Sequence, residues 1–320
     1  ASAYSKFLKN LKTYCGEELK EVFENLVKYM YDNLQDFGEY LAIDGKAVQS
    51  YATNYSKETK EDGRRDTDAN WGTKKYTTSV NSKGEVVTNK VTWFGYTVHL
   101  VVDAKYELPV TFKVTPASNS EQKEAKEILK VMHEEQLERC KYFLADKGYD
   151  DTKIIEYLKE KDIAAIIDIR NMWKDGEETK QYKDTDVVYT YDGNIYYIGE
   201  KGNKIKLRYL GYDKSSDSLR YGFKPQYNDN RVFRIKCDTD KRIFVTVARD
   251  SKKWAREYKK RTSVERVNGR IDRDYEFEDH TIRGIKKMDL YVTASFIVML
   301  SMAKSKIEAN NYNHLAALIS

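Results

Sequence analysis

The order of apolar segments between Leu41 and Ile169 constrains the fold more than any other feature. Three runs rich in β-branched and aromatic residues come first, one starting at Leu41 and the others at residues 91–102 and 108–114. Helical and strand-like patterns then alternate, and the last strand, residues 163–169, is almost continuously apolar, as in strands buried on both faces. This succession predicts an α/β fold in which helices cover the faces of a mixed sheet.

The segments around this pattern are less regular. Apolar residues at three- and four-residue steps predict a helix over residues 19–30, preceded by a shorter one over 6–12. Further helices are predicted over residues 121–139 and 151–161. Residues 50–90 are polar and rich in turn formers, so a long loop is expected there.

Beyond residue 171 the period changes to short alternating strands, and a β-rich insertion is predicted over residues 172–246. A basic helix over about 252–274 and an apolar segment over 288–303 follow. The apolar segment is shorter than the roughly 20 residues of a membrane span and is interpreted as a buried core helix. The predicted domains are an N-terminal helical segment (1–38), an α/β domain (39–171 and 247–320) and the insertion.

Composition narrows the choice of partner and compartment. The formal net charge is +5, with 33% charged residues, which fits a polyanionic partner and equally an ordinary basic protein. The three cysteines lie far apart, so neither a disulfide framework nor a zinc knuckle is expected, and a reducing cytoplasm fits best. The chain begins with Ala rather than Met, so a processed or trimmed start is expected.

Acids stand at the ends of apolar strands, where an aspartate must be solvated, paired or bound to a metal. Asp44 follows LAI, Asp146 follows YFLA and Asp168 follows AAII. A fourth acid, Glu265, lies at i+7 from Tyr258 in YKKRTSVERVNGR, with Arg261 at i+3. On one continuous helix these three side chains would fall within an arc of about 60°.

Carboxylates that converge from separate elements make an oxygen-rich site suited to Mg²⁺ or Mn²⁺, and two such ions support phosphodiester chemistry. Basic residues crowd the helix around Glu265 and could neutralise several phosphates. They are Lys252, Lys253, Arg256, Lys259, Lys260, Arg261, Arg266, Arg270 and Arg273. The alternative is a solvated basic helix with local Glu–Arg pairs.

With these motifs in order, the sequence resembles the DDE transposases of bacterial insertion sequences, in the branch with a Y-x2-R-x3-E-x6-K signature. The segments that carry the resemblance are LAIDGKAV, FGYTVHLVVD, TPASNSE, FLADKGYD and YKKRTSVERVNGR. The resemblance runs from about residue 4 to 303. It implies an RNase H-like fold with a β-rich insertion before the helix that supplies the third acid.

The resemblance also implies the site residues and their cofactor. Asp44, Asp146 and Glu265 would be the catalytic, metal-binding triad for two Mg²⁺ ions, with Mn²⁺ as a substitute. One position departs from the signature, because the lysine expected seven residues after Glu265 is Asp272. The expected DNA contacts are Tyr258, Arg261, Lys46, Lys147, Arg266, Arg270 and Arg273.

The implied activity is metal-dependent cleavage at transposon ends, followed by 3′-OH strand transfer into target DNA. The implied partner is double-stranded DNA, bound by a homodimer on paired ends in the bacterial cytoplasm and not at a membrane. Two alternatives stay open: an RNase H-like nuclease that cuts without strand transfer, and a domesticated or truncated DNA-binding protein without activity. Asp168 is a candidate helper, whereas Asp103 is interpreted as a turn residue and His99 as a packed core residue.

Overall fold

The computed structural model describes residues 3–52, 66–80 and 86–318. The chain divides into two compact units. Unit 1 comprises Ala1–Gly38, Ile43–Val131 and Ser263–Ser320, and unit 2 comprises Glu39–Ala42 and Met132–Thr262.

The elements of the described part follow in chain order. The α-helices are α1 (Ala3–Asn33), α2 (Glu121–Val131), α3 (Glu134–Arg139), α4 (Thr152–Glu160), α5 (Lys252–Tyr258), α6 (Thr262–Tyr275) and α7 (Ile285–Glu308). The strands are β1 (Tyr40–Gln49), β2 (Asn70–Val80), β3 (Val86–Asp103), β4 (Leu108–Pro116), β5 (Tyr142–Ala145), β6 (Ala164–Ile167), β7 (Lys180–Gln181), β8 (Val187–Tyr189), β9 (Ile195–Ile198), β10 (Lys204–Lys206), β11 (Arg208–Asp213), β12 (Ser218–Gly222) and β13 (Val232–Lys236).

The main sheet is mixed, with hydrogen-bonded order β2-β3-β1-β5-β6 and β4 paired with β3. In unit 1 the long strand β3 pairs antiparallel with both β2 and β4. In unit 2 the first residues of β1 pair parallel with β5, and β5 pairs parallel with β6. Helix α7 packs on β4, and α4 packs on β6. The predicted fold class, a mixed sheet flanked by helices, is confirmed.

The core of unit 1 is built around α7, which packs on α1 and β4. The ring of Phe112 on β4 meets Phe23 of α1 at 5.4 Å and Phe296 of α7 at 5.1 Å, edge to face. Among the described helices, α7 is long and apolar enough to cross a membrane, and it exceeds the segment predicted from sequence. Phe296 and Leu300 are nevertheless fully buried inside unit 1, so the interpretation of α7 as a core helix is confirmed.

The β-rich segment of unit 2 forms two small antiparallel sheets, β10-β9-β8-β7 and β11-β12-β13. Its apolar side chains share one cluster, in which Ile195 and Ile235 are fully buried and Val187, Leu207 and Leu219 nearly so. The strands predicted around residues 186–212 and 231–237 are present. Strand β12 is not predicted, because SLRYG is short and only its cross-strand partners identify it.

The long loop predicted over residues 50–90 is wrong for residues 86–90, which begin β3, and for residues 70–80. Residues 70–80 form β2, which pairs with β3 from Asn70 to Val80. The sequence NWGTKKYTTSV has few apolar residues, so its strand conformation follows from hydrogen bonding to β3 and not from a hydrophobic pattern. Residues 53–65 and 81–85 of the predicted loop lie outside the described residues.

Two predicted helices have different bounds. The helix expected over residues 121–139 is broken between α2 and α3, where His133 takes an extended conformation with φ −64° and ψ 144°. The two helices expected before residue 31 are joined in α1, which is interrupted at Cys15 by a non-helical φ of −134°. The first break covers Met132 and His133, which the three- and four-residue periodicity does not distinguish. The break at Cys15 falls within the gap predicted between the helices over residues 6–12 and 19–30.

Candidate active site

Asp44 lies inside β1, which continues to Gln49, so its predicted position at the end of a strand is wrong. The three residues before it are fully buried, Asp44 itself is half-buried, and Val48 after it is buried again. Its Oδ2 accepts a hydrogen bond of 2.9 Å from Nδ2 of Asn268 on α6. A partner 224 residues away in the chain thus satisfies this acid.

A second contact joins the same two elements. Nζ of Lys46 donates to Oδ2 of Asp272 at 2.6 Å, and the Lys46 side chain is only 10% exposed. Asp44 and Lys46 lie two apart on the strand and therefore on one face of β1. Asn268 and Asp272 lie four apart on α6 and therefore on one face of the helix.

Glu265 lies on the same face of α6 as Asn268 and Asp272. Residues 265, 268 and 272 are spaced i, i+3 and i+7, which confines them to an arc of about 60° on a straight helix. Asn268 and Asp272 both contact β1. The face of α6 that carries Glu265 is therefore turned toward this strand. Glu265 itself is exposed and lies in the first turn of α6, where the helix dipole favours a negative charge.

The opposite face of β1 explains Gly45. A Cβ atom there would stand 2.9 Å from Oε1 of Glu121 and 3.2 Å from Cγ2 of Thr97. Lys74 ties these groups together, because its Nζ donates to the Gly45 carbonyl at 2.7 Å and pairs with Glu121 at 3.1 Å. The absence of a side chain at Gly45 therefore allows α2 to approach the strand closely.

Asp146 follows β5 in unit 2. The parallel register pairs Leu41 with Phe143 and Ala42 with Leu144, so the acid lies two residues beyond a paired position. Oδ1 of the half-buried Asp146 accepts from the backbone N–H of Gly148 at 2.7 Å and caps the short 3₁₀ turn of residues 147–149. Lys147 is exposed on this turn.

Tyr258 and Arg261 do not share one regular helix with Glu265, so the single helix predicted over about 252–274 is wrong. Helix α5 ends at Tyr258, and a 3₁₀ turn, Lys259–Arg261, precedes α6. The tighter turn changes the angular spacing on which the predicted arc depends. Tyr258 and Arg261 lie in unit 2, whereas Glu265 lies in unit 1.

In unit 2, Tyr258 is held between an indole and a guanidinium. Its ring stacks on Trp254 at 4.7 Å, and the Arg261 guanidinium lies 5.6 Å from the ring centre. Burial raises the pKa of the Tyr258 phenol, and the nearby negative charges of Asp168 and, more weakly, Asp146 raise it further, against the opposing effect of Arg261. The phenol is therefore neutral at physiological pH and can donate a hydrogen bond.

Several predicted DNA contacts already have acidic partners. Arg266 and Arg270 both pair with Glu107, at 2.5 and 2.7 Å. Arg273 pairs with its neighbour Asp274 at 2.5 Å. Sequence reasoning missed Glu107 because it lies in the β3–β4 turn, in a left-handed conformation with φ 58°, far in sequence from α6.

The three acids supply donor atoms of the type that binds a metal ion, but their positions give weaker support for a metal site. Within residues 3–52, 66–80 and 86–318, no three His, Cys, Asp or Glu side chains gather into a group that could hold an ion. The donor types do fit a hard cation, because Asp44, Asp146 and Glu265 supply carboxylate oxygens. In addition, Oδ1 of Asn268 is a buried amide oxygen that accepts no hydrogen bond from the described residues.

Comparison with known proteins gives the family. The model of the family "Transposase DDE domain" matches residues 41–300. No curated protein matches the chain. A matching solved structure is the cryo-EM structure of the piggyBac transposase synaptic complex with hairpin DNA, which is 11% identical with a TM-score of 0.26, over 88% of this chain and 59% of that one. The chain thus spans about three fifths of that protein's chain. Because the family model matches well over half of its residues, the chain belongs to the family of transposase DDE domains.

Proposed function

We propose that this chain is the catalytic part of a DNA transposase of the bacterial insertion-sequence type, which acts on double-stranded DNA as a homodimer on paired transposon ends in the cytoplasm. Asp44, Asp146 and Glu265 are its catalytic triad. The observation that carries the assignment is the contact of α6 with β1, in which Asn268 donates to Asp44. This contact turns the face of α6 that carries Glu265 toward Asp44.

The register of unit 2 pairs the residues that precede two of the acids in the chain. Ala42 and Leu144 are partners in adjacent parallel strands, and each aspartate follows its paired residue by two positions in sequence.

The proposed reaction has two in-line displacements at phosphorus. In the first, water attacks the phosphodiester at the transposon end, its P–O bond replaces the bond to the 3′ oxygen, and that oxygen leaves as a 3′-OH. In the second, this hydroxyl attacks a target phosphodiester and one P–O bond again replaces another. Neither step needs a covalent bond to the protein.

Different residues of the chain have different roles in these two steps. The triad would hold two divalent cations, Mg²⁺ or Mn²⁺, which when bound help to deprotonate the nucleophile and neutralise charge at phosphorus. The neutral phenol of Tyr258 donates a hydrogen bond to a phosphate oxygen, and Arg261 supplies a fixed positive charge beside it. Lys147 adds a flexible cation next to Asp146.

The position of the signature lysine is occupied by Asp272. Asp272 cannot bind phosphate as a cation, and it is engaged with Lys46. Lys46 is thereby held two residues from Asp44, on the face of β1 that carries this acid. The Lys46–Asp272 pair carries no net charge, so neither residue supplies the positive charge that the lysine of the signature would bring.

The test is strand transfer of a pre-cut transposon end in Mn²⁺, with the wild-type chain beside Asp146→Asn and Glu265→Gln. We expect each variant to lose at least about a hundredfold in rate, because each removes a carboxylate from the cation site. Asp162→Asn serves as the control, since Asp162 is exposed and Asn tolerates its left-handed φ of 59°.

Three outcomes would contradict the proposal in different ways. Equal activity of all variants would exclude the triad. Cleavage of an uncut end without joining would favour the nuclease. DNA binding with no chemistry in the wild-type chain would favour a domesticated binding protein.

A further inference from the structure

Asn268 is not one of the three acids of the proposed site, yet it makes a direct contact with one of them. Its Nδ2 lies 2.9 Å from Oδ2 of Asp44. An amide presents a donor at one end and an acceptor at the other, and only the donor end is compatible with a carboxylate. The contact with Asp44 therefore fixes which way the amide points.

The acceptor end of the Asn268 amide does not explain the orientation of this side chain. Oδ1 of Asn268 is buried and accepts no hydrogen bond from the residues that the structure describes. A buried acceptor without a donor costs free energy.

The neighbouring ion pair keeps the two elements in place. Lys46 and Asp272 lie one strand repeat and one helical turn away from the Asp44–Asn268 contact, and their side chains are 10% and 26% exposed. Since both contacts join the same faces of β1 and α6, the strand can neither twist nor slide against the helix without breaking them. Asn268 therefore meets Asp44 on a fixed framework.

We infer that Asn268 is a positioning residue that holds the Asp44 carboxylate in one orientation for metal binding. This inference rests on the proposed function, because it assigns the role of Asp44 to the cation site. A carboxylate has two oxygens with about four acceptor positions, and the hydrogen bond from Asn268 occupies one of them. Outer partners of this kind typically contribute about tenfold or more to metal affinity.

The experiment measures Mn²⁺ binding to the full chain without DNA, by electron paramagnetic resonance of the free ion. We expect Asn268→Leu, which has a similar shape but no donor, to weaken Mn²⁺ binding by about tenfold. Asn268→Ser, whose side chain is too short to reach Asp44, should do the same if Leu disturbs folding. Thermal unfolding of each variant establishes that it is folded.

The chain offers a matched control. Nδ2 of Asn119 donates to the carboxylate of Glu124 at 2.9 Å, and both residues lie in unit 1. Asn119→Leu removes the same kind of hydrogen bond from a carboxylate with no proposed role in catalysis. We expect it to alter stability but not Mn²⁺ binding.

Asp44→Asn separates the inference from the proposed function. If this variant binds Mn²⁺ like the wild-type chain, Asp44 is not a metal ligand and the proposed function fails. If Asp44→Asn abolishes binding but Asn268→Leu behaves like Asn119→Leu, the proposed function stands and the positioning role is wrong. Adding Asn268→Leu to Asp44→Asn should cause no further loss, because Asn268 acts through Asp44.

Discussion

At the scale of single residues, polar side chains inside unit 1 are held by specific partners. Asp44 is held by Asn268, and Lys46 by Asp272. His99 is fully buried on β3, with Nε2 3.0 Å from the hydroxyl of Thr115. The interpretation of His99 as a packed core residue agrees with this burial.

The burial of His99 predicts a pH dependence of unit 1 stability. Burial lowers the pKa of His99 from 6.5 to about 4, against the opposing charge of Glu124 and with the help of Lys74 and Lys113. The folded state therefore binds a proton less readily than the unfolded state. Stability due to neutral His99 is fully present above pH 6.5 and is lost as the pH falls toward 4, by about 3 kcal/mol.

Urea unfolding at several pH values checks this prediction. His99→Gln should flatten the change in unfolding free energy between pH 6.5 and 4. His314→Gln, at an exposed position, should leave the slope unchanged. A slope that persists in His99→Gln would show that other groups cause it.

At the scale of elements, close backbone approaches decide where strands and helices can lie. Gly95 on β3 faces β1 so closely that a Cβ atom would stand 2.2 Å from the carbonyl oxygen of Val48 and 2.6 Å from the N atom of Ser50. Both obstacles are backbone atoms and cannot rotate away. Gly269 on α6 is the opposite case, because a Cβ atom there would meet nothing within 4 Å.

These two glycines give opposite expectations for the same substitution. Gly95→Ala should lower the free energy of unfolding by about 3 kcal/mol or more, since β1 and β3 must separate. Gly269→Ala should raise it by about 0.5–1 kcal/mol, because alanine restricts the unfolded chain and favours helix. Chemical denaturation of both variants tests the pair. Similar effects in the two would contradict the close packing of β1 on β3.

At the scale of the whole molecule, the chain carries a net charge of +5, and several of its basic side chains are paired with acidic ones. Glu107 alone engages both Arg266 and Arg270. Whether these arginines bind DNA or remain paired with Glu107 is thus a competition between one carboxylate and the phosphates.

Removal of the competing carboxylate should strengthen DNA binding. Glu107→Gln removes the carboxylate that pairs with both guanidinium groups, so we expect several-fold tighter binding to a transposon-end duplex. The salt dependence should also steepen, by about 0.9 in log Kd per log salt for each additional phosphate that the protein neutralises. Fluorescence anisotropy over a range of salt concentrations measures both quantities.

Glu134→Gln provides the control, since it makes the same change in net charge at an exposed pair with Lys161. It should strengthen binding only slightly. Equal effects of the two substitutions would show that net charge, and not Arg266 and Arg270, governs affinity.

The sequence by itself determined the class of fold and the candidate acids. In residues 41–49, 91–116 and 142–169, apolar residues recur at the spacing of a strand or a helix because one face of each element is buried. This spacing can be seen in the sequence itself. The same patterns predict Asp44 and Asp146 at strand ends, which is confirmed for Asp146 and wrong for Asp44, since β1 continues to Gln49. The bounds of the predicted domains and the roles of the acids stay predictions.

Only the tertiary structure decided the partners of these residues. Asn268 for Asp44, Asp272 for Lys46 and Glu107 for two arginines are contacts across 159 to 226 residues, and no periodicity encodes them. Strand β2 likewise depends on hydrogen bonds to β3, and the 3₁₀ turn before α6 breaks a helix that its composition favours. The physical reason is the same in each case: the free energy of these features comes from groups distant in the chain, whereas periodicity records only each segment's own burial.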